Sequence, residues 1–251
     1  MSADVHIQVR DLTMAYGSRV IMHDMSFEVL RGSVTAIVGG SGCGKSTLLR
    51  HMIGLLEPVK GDVLYNGESF TQAHPARRSE MLRRFGGTYQ QGALWSDMTL
   101  AENVALPLEQ YTTLPPKDIR RIVELKLALV GLGGFEEYAP ADISGGMRKR
   151  AALARALALD PEVLFFDEPS AGLDPISSKR LDDLILQVCD STGATVILVT
   201  HELPSIFAIV SQALFLDAET QSLAAAGSPA QLRDDPPSEN IRRFFTREGS
   251  Q

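Results

Sequence analysis

Apolar segments rich in β-branched residues alternate with segments of helical spacing along most of the chain. The apolar run VTAIVGG ends in glycines and STLLRHMIGLL follows, so residues 34–56 are predicted to form a strand, a glycine loop and a helix. Two further runs, EVLFFDEP and ATVILVTHE, are typical of buried parallel strands. Near the C-terminus, ALFLD predicts another strand and Ser228-Pro229 predicts the start of a helix. Strands that alternate with helices favour a mainly parallel sheet.

The pattern near the N-terminus differs from that in the middle of the chain. HIQVRDLTMAY and VIMHDMSFEV have strand character and Asn66-Gly67 is a hairpin signal, which together predict an antiparallel β part. From about residue 92 the spacing becomes helical, in LAENVALPLEQY, PKDIRRIVELKLALVGLGG and GGMRKRAALARALALD. We therefore predict one α/β domain in which a helical subdomain, residues 92–158, is inserted into a core formed by residues 1–91 and 159–251.

Composition and charge narrow the class of protein. The 251 residues include 31 acidic and 24 basic residues, a net charge of −7, which argues against a general nucleic-acid binder because such proteins neutralise phosphates. Cys43 and Cys189 are too few for a disulfide framework, which favours a reducing compartment. The N-terminal residues lack a signal-peptide pattern, and no apolar run is long enough to span a bilayer. Any role in a membrane process is therefore expected to be exerted from the cytoplasm, through partners.

The segment GGSGCGKS, residues 39–46, fits the phosphate-loop pattern G-x-x-x-x-G-K-[ST] in full. Glycines allow backbone N–H groups to face phosphate oxygens, and the N-terminus of the following helix is positive. Lys45 is expected to bridge the β- and γ-phosphates, and Ser46 to place its hydroxyl on Mg²⁺. The alternative is a glycine-rich turn without a ligand. The predicted nucleotide-binding residues here are Gly39, Gly40, Ser41, Gly42, Cys43, Gly44, Lys45, Ser46 and Thr47.

Carboxylates follow the apolar strand in VLFFDE, residues 163–168. Asp167 closes the strand and is expected to hold Mg²⁺, while Glu168 orients or deprotonates the attacking water. His201 ends the segment ATVILVTH, from which it can reach the γ-phosphate. In the alternative interpretation, both carboxylates only solvate a strand end and the histidine is structural.

A second feature suited to an anion lies in DISGGMRKR, residues 142–150. Ser144 can cap a helix, but Gly145 and Gly146 then weaken its first turn, and a basic run follows where positive charge is unfavourable. A bound anion would explain all three observations. Because one nucleotide already has its loop, we predict that a second copy of the chain presents Ser144, Gly145 and Gly146 to the γ-phosphate in a head-to-tail dimer.

The phosphate loop, ISGGM, LFFDEP, AGLD and TH occur in the order of the ATP-binding-cassette (ABC) ATPases, and the chain resembles that family over nearly its whole length. The resemblance implies a P-loop NTPase (RecA-like) core and hydrolysis of ATP with Mg²⁺. It also implies that Tyr16 stacks on adenine, that Gln90 senses Mg²⁺ and the γ-phosphate, and that Asp174 contacts the partner's phosphate loop. Asp174 can also cap the helix after Pro175. The implied catalytic residues are Lys45, Gln90, Glu168 and His201, and the implied metal-site residues are Ser46, Gln90 and Asp167.

The chain departs from the usual family pattern SGGQ at Met147. SGGM followed by basic residues, together with QQGALWSDMTLAENVALPL, is similar to the ATPases of Mla-type transporters, which work with MCE-domain proteins and move phospholipids or other lipids between bacterial membranes. The resemblance implies an integral-membrane permease and an MCE-domain protein as partners, and a position on the cytoplasmic face of the inner membrane. The permease is expected to dock near residues 90–98, where Leu94 and Trp95 either line a groove or belong to the core.

Three other functions compete with lipid transport. The first keeps the ATPase but makes it the subunit of an ABC importer for a small polar solute. The second, a soluble ATP switch acting on ribosomes or DNA, is disfavoured by the acidic charge and by the single cassette without a long coiled coil. The third, a phosphotransferase kinase, is disfavoured because a kinase needs no second anion site of the ISGGM kind.

Overall fold

The computed structural model describes residues 4–88 and 94–246 of the chain. In these ranges the strands are β1 (Val5–Tyr16), β2 (Arg19–Leu30), β3 (Val34–Gly39), β4 (Lys60–Tyr65), β5 (Glu68–Ser69), β6 (Phe85–Thr88), β7 (Val163–Asp167), β8 (Thr195–Val199), β9 (Gln212–Asp217) and β10 (Ser222–Gly227). The helices are α1 (Lys45–Met52), α2 (Pro75–Leu82), α3 (Leu100–Tyr111), α4 (Pro116–Leu129), α5 (Gly145–Ala156), α6 (Pro175–Thr192), α7 (Leu203–Ile209), α8 (Pro229–Asp234) and α9 (Glu239–Thr246).

The strands form two sheets with different directions of pairing. The first is antiparallel with the order β2-β1-β4-β5, and its two-residue turn at Asn66 and Gly67 has positive φ values of 53° and 77°, as the hairpin signal predicts. The second has the order β10-β9-β3-β8-β7-β6, and every pair in it is parallel except β9 with β10. The predicted antiparallel part and mainly parallel sheet are therefore both present.

Two apolar cores lie on opposite faces of the parallel sheet. Along β3, Val34, Ala36 and Val38 belong to the core that contains α3, α4, α5 and α6, whereas Ile37 belongs to the core shared with α1 and the antiparallel sheet. This division follows from the alternation of side chains along a strand. Because both faces of the sheet are covered, its central strands β7 and β8 are almost entirely buried, which explains their continuous apolar runs.

The helical segment between β6 and β7 consists of α3, α4 and α5. Thr99 caps α3 and exchanges hydrogen bonds with Glu102 in a capping box, so this helix begins where its local sequence directs it. α4 begins with Pro116 at its first position, where the missing N–H costs nothing. The bounds 92–158 for a separate subdomain stay a prediction. No helix in the described residues has both the length and the apolar character needed to cross a membrane.

The helix after the phosphate loop is shorter than predicted. The prediction extended it to residue 56, but α1 ends at Met52 and Gly54 adopts φ +74°. The N–H of Gly54 donates to the carbonyl of His51 (3.1 Å), and that of Leu55 donates to the carbonyl of Arg50 (2.8 Å), which is the hydrogen-bond pattern of a Schellman ending. Gly54, which the prediction placed inside the helix, therefore marks the C-terminal end of α1.

Candidate functional site

The phosphate loop connects the end of β3 to the start of α1. Gly39 has φ +142°, and a Cβ there would lie 2.3 Å from the carbonyl oxygen of Leu216, so β9 leaves no room for a side chain. Gly42 and Gly44 have φ values of +75° and +103°, a region that residues with side chains rarely adopt. These constraints require glycine and give the loop the curl that turns backbone N–H groups toward a common centre.

Lys45 lies folded over this loop. Its Nζ donates to the carbonyl oxygens of Gly39 (3.0 Å) and Gly40 (2.8 Å). The ammonium group and the positive end of α1 therefore face the same space, as expected for a phosphate site. The thiol of Cys43 instead points into the core, where burial raises its pKa, so the contribution of this residue to a ligand is limited to its backbone.

Ser46 and Asp167 meet across 121 residues of chain. The hydroxyl of Ser46, in the first turn of α1, donates to Oδ1 of Asp167 at the end of β7 over 3.1 Å. A hydroxyl and a carboxylate are the hard oxygen ligands that Mg²⁺ prefers, and Mg²⁺ typically takes only one or two carboxylates, completing its shell with water and phosphate. The pair fits such an ion, and the described residues contain no cluster of three His, Cys, Asp or Glu that would form a cage for another metal.

Glu168 occupies a constrained position next to Asp167. Its φ is +52°, and its N–H donates to the carbonyl of Val199 on β8 over 2.9 Å. One carboxylate oxygen, Oε1, lies 2.8 Å from Nδ1 of His201, while the other, Oε2, is buried without a hydrogen-bond partner. A buried carboxylate oxygen with an unused acceptor site is suited to bind a water molecule.

Ser144 is the N-cap of α5, as predicted. Its Oγ accepts a hydrogen bond from the N–H of Met147 over 3.2 Å, and Gly145 and Gly146 form the first turn. A Cβ on Gly146 would lie 3.7 Å from Ser177 of α6, which is ordinary contact. The glycines are therefore not required by packing within the chain, which leaves close approach of an external group as a reason for them.

The basic run after these glycines has partners within the chain, which corrects the expectation that it needs an anion. Arg148 donates to the carbonyl of Ile143 (2.7 Å), and Arg150 donates to the carbonyl of Val130 (2.8 Å). Only Ser144, Gly145 and Gly146 continue to indicate an anion at this helix end.

Asp174 is the N-cap of α6. Its Oδ1 accepts hydrogen bonds from the N–H groups of Ile176 and Ser177, both over 3.0 Å, and hydrogen bonding to Ser177 is the main reason that its pKa is lowered. The capping role is thus present, and the carboxylate is exposed, so contact with a partner stays a prediction. Tyr16 ends β1 with an exposed ring, and Gln90 lies outside the described residues.

The residues before α3 are held by an interaction that sequence reasoning missed. Asn103 is completely buried, its Oδ1 accepts from the N–H of Trp95 (2.8 Å), and its Nδ2 donates to the carbonyls of Trp95 (3.0 Å) and Thr99 (2.9 Å). Leu94 packs partly buried against the core, whereas Trp95 is 60% exposed. Of the two interpretations left open for Trp95, the structure therefore favours a surface position.

A groove runs beside this turn, between α3 and α4. Five glutamates and one arginine are the charged residues of its lining among the described residues: Glu102, Glu109, Glu124, Glu136, Glu137 and Arg120. Apolar side chains, including Ala105 and Val123, form its floor. The groove therefore has an apolar base and an acidic rim.

Comparison with sequences of known proteins places these motifs in one family. A family model described as "ABC transporter" matches residues 22–171. The intermembrane phospholipid transport system ATP-binding protein MlaF of Escherichia coli (strain K12) is 39% identical over 239 residues, which cover 95% of this chain and 88% of that protein. MlaF of Haemophilus influenzae is 40% identical over 226 residues, covering 90% and 85%. The "Probable ribonucleotide transport ATP-binding protein mkl" of Mycobacterium leprae is 43% identical over 201 residues, which cover 80% of this chain but only 58% of that longer protein.

Solved structures give the same result for the fold. CbiO1 from Clostridium perfringens, part of the ABC transporter complex cbiONQ, has a TM-score of 0.84 and 26% identity over 98% of this chain and 96% of its own. The dimeric structure of MJ0796, a bacterial ABC transporter cassette, has a TM-score of 0.80 and 25% identity, covering 88% of this chain and 98% of its own. The predicted fold class is confirmed.

Proposed function

This chain belongs to the ABC transporter family and is an ATPase of it, and from that premise we propose that it hydrolyses ATP to move phospholipids or other lipids between bacterial membranes. The proposed lipid cargo rests on the match to two MlaF proteins, which extends over 90% and 95% of the chain and most of each relative. The observation that carries the chemistry is the geometry of Glu168, with one oxygen on His201 and one buried oxygen unpaired.

In the proposed mechanism, backbone N–H groups of residues 39–47 and the ammonium of Lys45 hold the phosphates of ATP. Ser46 and Asp167 would hold Mg²⁺, which supplies neutralisation of phosphate charge when bound. Glu168 orients the attacking water through Oε2 and accepts its proton. His201 fixes the carboxylate through Oε1 and, being partly exposed, can turn toward the γ-phosphate. The roles of Gln90 at the metal and Tyr16 at adenine remain part of this proposal.

ABC cassettes dimerise, as the MJ0796 structure illustrates, and we propose a head-to-tail dimer in which each chain completes the site of the other. Ser144, Gly145 and Gly146 would contact the γ-phosphate on the partner copy, supported by the capped but sterically open start of α5. Asp174 would reach the partner's phosphate loop while it caps α6. Two ATP molecules would then hold the dimer together, and hydrolysis would release it.

The proposed permease contact is the surface formed by Trp95 and the acidic groove between α3 and α4. Asn103 binds the carbonyls of both Trp95 and Thr99, and Thr99 lines the groove. An exposed tryptophan and an apolar groove with a charged rim have the composition of a protein interface. The five glutamates favour a cytoplasmic segment of the permease that carries basic residues. Attachment through that permease would place the chain at the cytoplasmic face of the inner membrane, with an MCE-domain protein as a further subunit.

The cargo is tested by purifying the tagged chain from gently solubilised native membranes and identifying proteins and lipids by mass spectrometry. A multi-helix permease, an MCE-domain protein and enriched phospholipid are expected. The Trp95→Glu variant, purified in parallel, is the control for lipid carried over by detergent. A permease with a solute-binding protein and no enriched lipid would overturn the lipid assignment and leave the ATPase standing.

A second candidate cargo is a ribonucleotide or another small polar solute. The mycobacterial relative named for ribonucleotide transport is 43% identical over 80% of this chain, which is why this alternative is retained. It ranks second because the alignment covers only 58% of that relative. The same purification separates the two candidates, because a polar-solute importer would recover a solute-binding protein rather than lipid.

A further inference from the structure

The basic run at the start of α5 contains one residue that reaches out of the helical segment. Arg148 and Arg150 donate to carbonyls of Ile143 and Val130, which belong to the same helical segment. Lys149 instead crosses to the core, where its Nζ donates to the carbonyl oxygen of Glu168 over 3.2 Å. The helix α5, which Ser144 caps, is therefore bonded directly to the backbone of the proposed water-positioning residue.

The carbonyl that receives this bond belongs to a residue whose backbone is strained. Glu168 has φ +52°, a left-handed conformation that non-glycine residues adopt only when their surroundings hold them there. On one side of it, its N–H is fixed by Val199 of β8. On the other side, its carbonyl accepts from the N–H of Ala171 over 3.3 Å and from Lys149. Lys149 is thus the side chain that holds the carbonyl group of Glu168 from the direction of α5.

The ammonium group of Lys149 is partly withdrawn from water where it makes this contact. The side chain lines a crevice between α5, β7 and α6 together with Thr88, Phe166 and Leu181. Burial lowers the pKa of its ammonium group, and the charge of Glu168 opposes that effect. The described residues give Nζ the Glu168 carbonyl as its hydrogen-bond acceptor and no salt-bridge partner. A lysine stem often packs along apolar surface, but here the ammonium group also reaches the Glu168 carbonyl instead of only water.

We infer that Lys149 is a positioning residue for hydrolysis: it holds the Glu168 backbone so that Oε1 meets His201 and Oε2 faces the attacking water. The inference rests on the proposed role of Glu168. In the proposed head-to-tail dimer it has a further consequence. The first turn of α5 faces the ATP of the partner, whereas Lys149, in the same helix, contacts the residue that acts on the chain's own ATP. Lys149 therefore connects the two ATP sites of the dimer.

The test replaces Lys149 by methionine, which keeps the apolar stem and removes the donor, and by alanine. We expect kcat to fall by about tenfold or more, as loss of a charged hydrogen bond implies, with the KM for ATP unchanged. Lys149→Arg, which retains a donor, should recover kcat to within about threefold of the wild type. Lys179→Met, which removes an exposed lysine of α6, is the matched control and should leave kcat unchanged. The melting temperature of each variant is measured first, and kcat is compared for the truncation, methionine or alanine, whose melting temperature matches that of the wild type.

Two further measurements separate positioning from a general structural effect. In the Glu168→Gln background, single-turnover hydrolysis should change by less than about threefold when Lys149→Met is added, because both act through the same carboxylate. The ring resonances of His201 in NMR spectra of the nucleotide-free protein should move in Lys149→Met but not in Lys179→Met. Normal kcat in a folded Lys149 truncation, or an equal loss in both backgrounds, would overturn the inference. Normal turnover of Glu168→Gln alone would instead refute the proposed role of Glu168.

Discussion

The imidazole of His201 and the carboxylate of Glu168 lie 2.8 Å apart, from Nδ1 to Oε1. The two side chains differ in exposure, with 60% of His201 but only 12% of Glu168 accessible to solvent, and the second ring nitrogen of His201 lies 3.6 Å from Glu202. His201 therefore pairs with the outer oxygen of Glu168 and leaves the inner, buried oxygen, Oε2, without a hydrogen-bond partner. This pairing distinguishes the two oxygens of one carboxylate: Oε1 is hydrogen-bonded, and Oε2 is buried without a partner.

Replacing Glu168 by glutamine should preserve ATP binding and slow hydrolysis by at least about 100-fold, the scale of lost general-base or water-positioning help. The amide keeps the shape of the side chain and can still contact His201, but it cannot accept a proton. Steady-state phosphate release and equilibrium binding of a fluorescent ATP analogue measure the two effects. Glu28→Gln, at an exposed position of the antiparallel strand β2, is the control for general loss of negative charge. Turnover near the wild-type rate would contradict the role assigned to Glu168.

Much of this site could be predicted because its residues lie in short segments whose chemistry is local. The phosphate loop needs glycine at defined positions, and the structure gives the reason, since Gly39 abuts the backbone of β9 and Gly44 has φ +103°. The caps Ser144 and Ser228 are likewise local, because each side chain bonds to the N–H three residues later. Buried strands such as β7 were recognisable from their apolar runs.

Other parts depend on contacts between segments far apart in the chain and could not be predicted. β6 has the sequence FGGT, whose two glycines have little strand propensity, and it is a strand because it pairs with β7. Position 86 is glycine because a Cβ there would lie 2.3 Å from the carbonyl oxygen of Ala156 at the end of α5. The strand β10 contains three alanines and is formed by pairing with β9. The hydrogen bond from Lys149 to Glu168 joins residues 19 positions apart in different elements, so no periodicity in the sequence predicts it.

Replacing Ser144 by arginine should leave ATP binding intact and abolish the ATP-dependent dimer. The bulky cation would occupy the space in which the γ-phosphate of the partner site is expected. Size-exclusion chromatography in the Glu168→Gln background, with ATP, measures the dimer. Ser144→Ala is the comparison variant: it removes the helix cap, which costs about 1 kcal/mol of stability, and the hydroxyl, but it leaves the phosphate space open, so its dimer should weaken less than that of the arginine variant. An arginine variant that still dimerises with ATP would contradict the head-to-tail arrangement.

The stability of the protein should fall in mild acid because of His6. This side chain is buried, its Nδ1 lies 2.6 Å from the hydroxyl of Thr195, and burial is the main cause of its lowered pKa. Below the ordinary histidine pKa of about 6.5 the unfolded chain binds a proton that the folded chain resists, so the free energy of unfolding decreases as pH falls from there toward the folded pKa. Urea unfolding between neutral pH and pH of about 5 measures the slope.

The control for His6 compares slopes rather than absolute stabilities. His6→Gln removes the titrating group, so its free energy of unfolding should depend less on pH over the same interval, although its stability at neutral pH is lower. His74→Gln, which removes an exposed histidine before α2, is the control for loss of a surface histidine. An unchanged slope in His6→Gln would exclude His6 as the cause of the acid sensitivity.

Trp95 should be required for assembly with the permease and dispensable for folding and nucleotide binding. It is the only tryptophan of the chain, and Asn103 holds its backbone from both sides, so the exposed indole is presented by a rigid turn rather than a loose one. Exposed aromatic residues on ordered backbone lose little entropy on binding and contribute strongly to interfaces, with costs of about 2 kcal/mol or more when removed. Trp95→Glu should therefore weaken the complex by about 30-fold or more, because it removes the indole and adds a charge at the proposed contact. Leu125→Glu is the matched control, because this position of α4 is 65% exposed and lies outside the groove lining. Equal recovery of the permease with Trp95→Glu and with the wild type would show that Trp95 is not part of the docking surface.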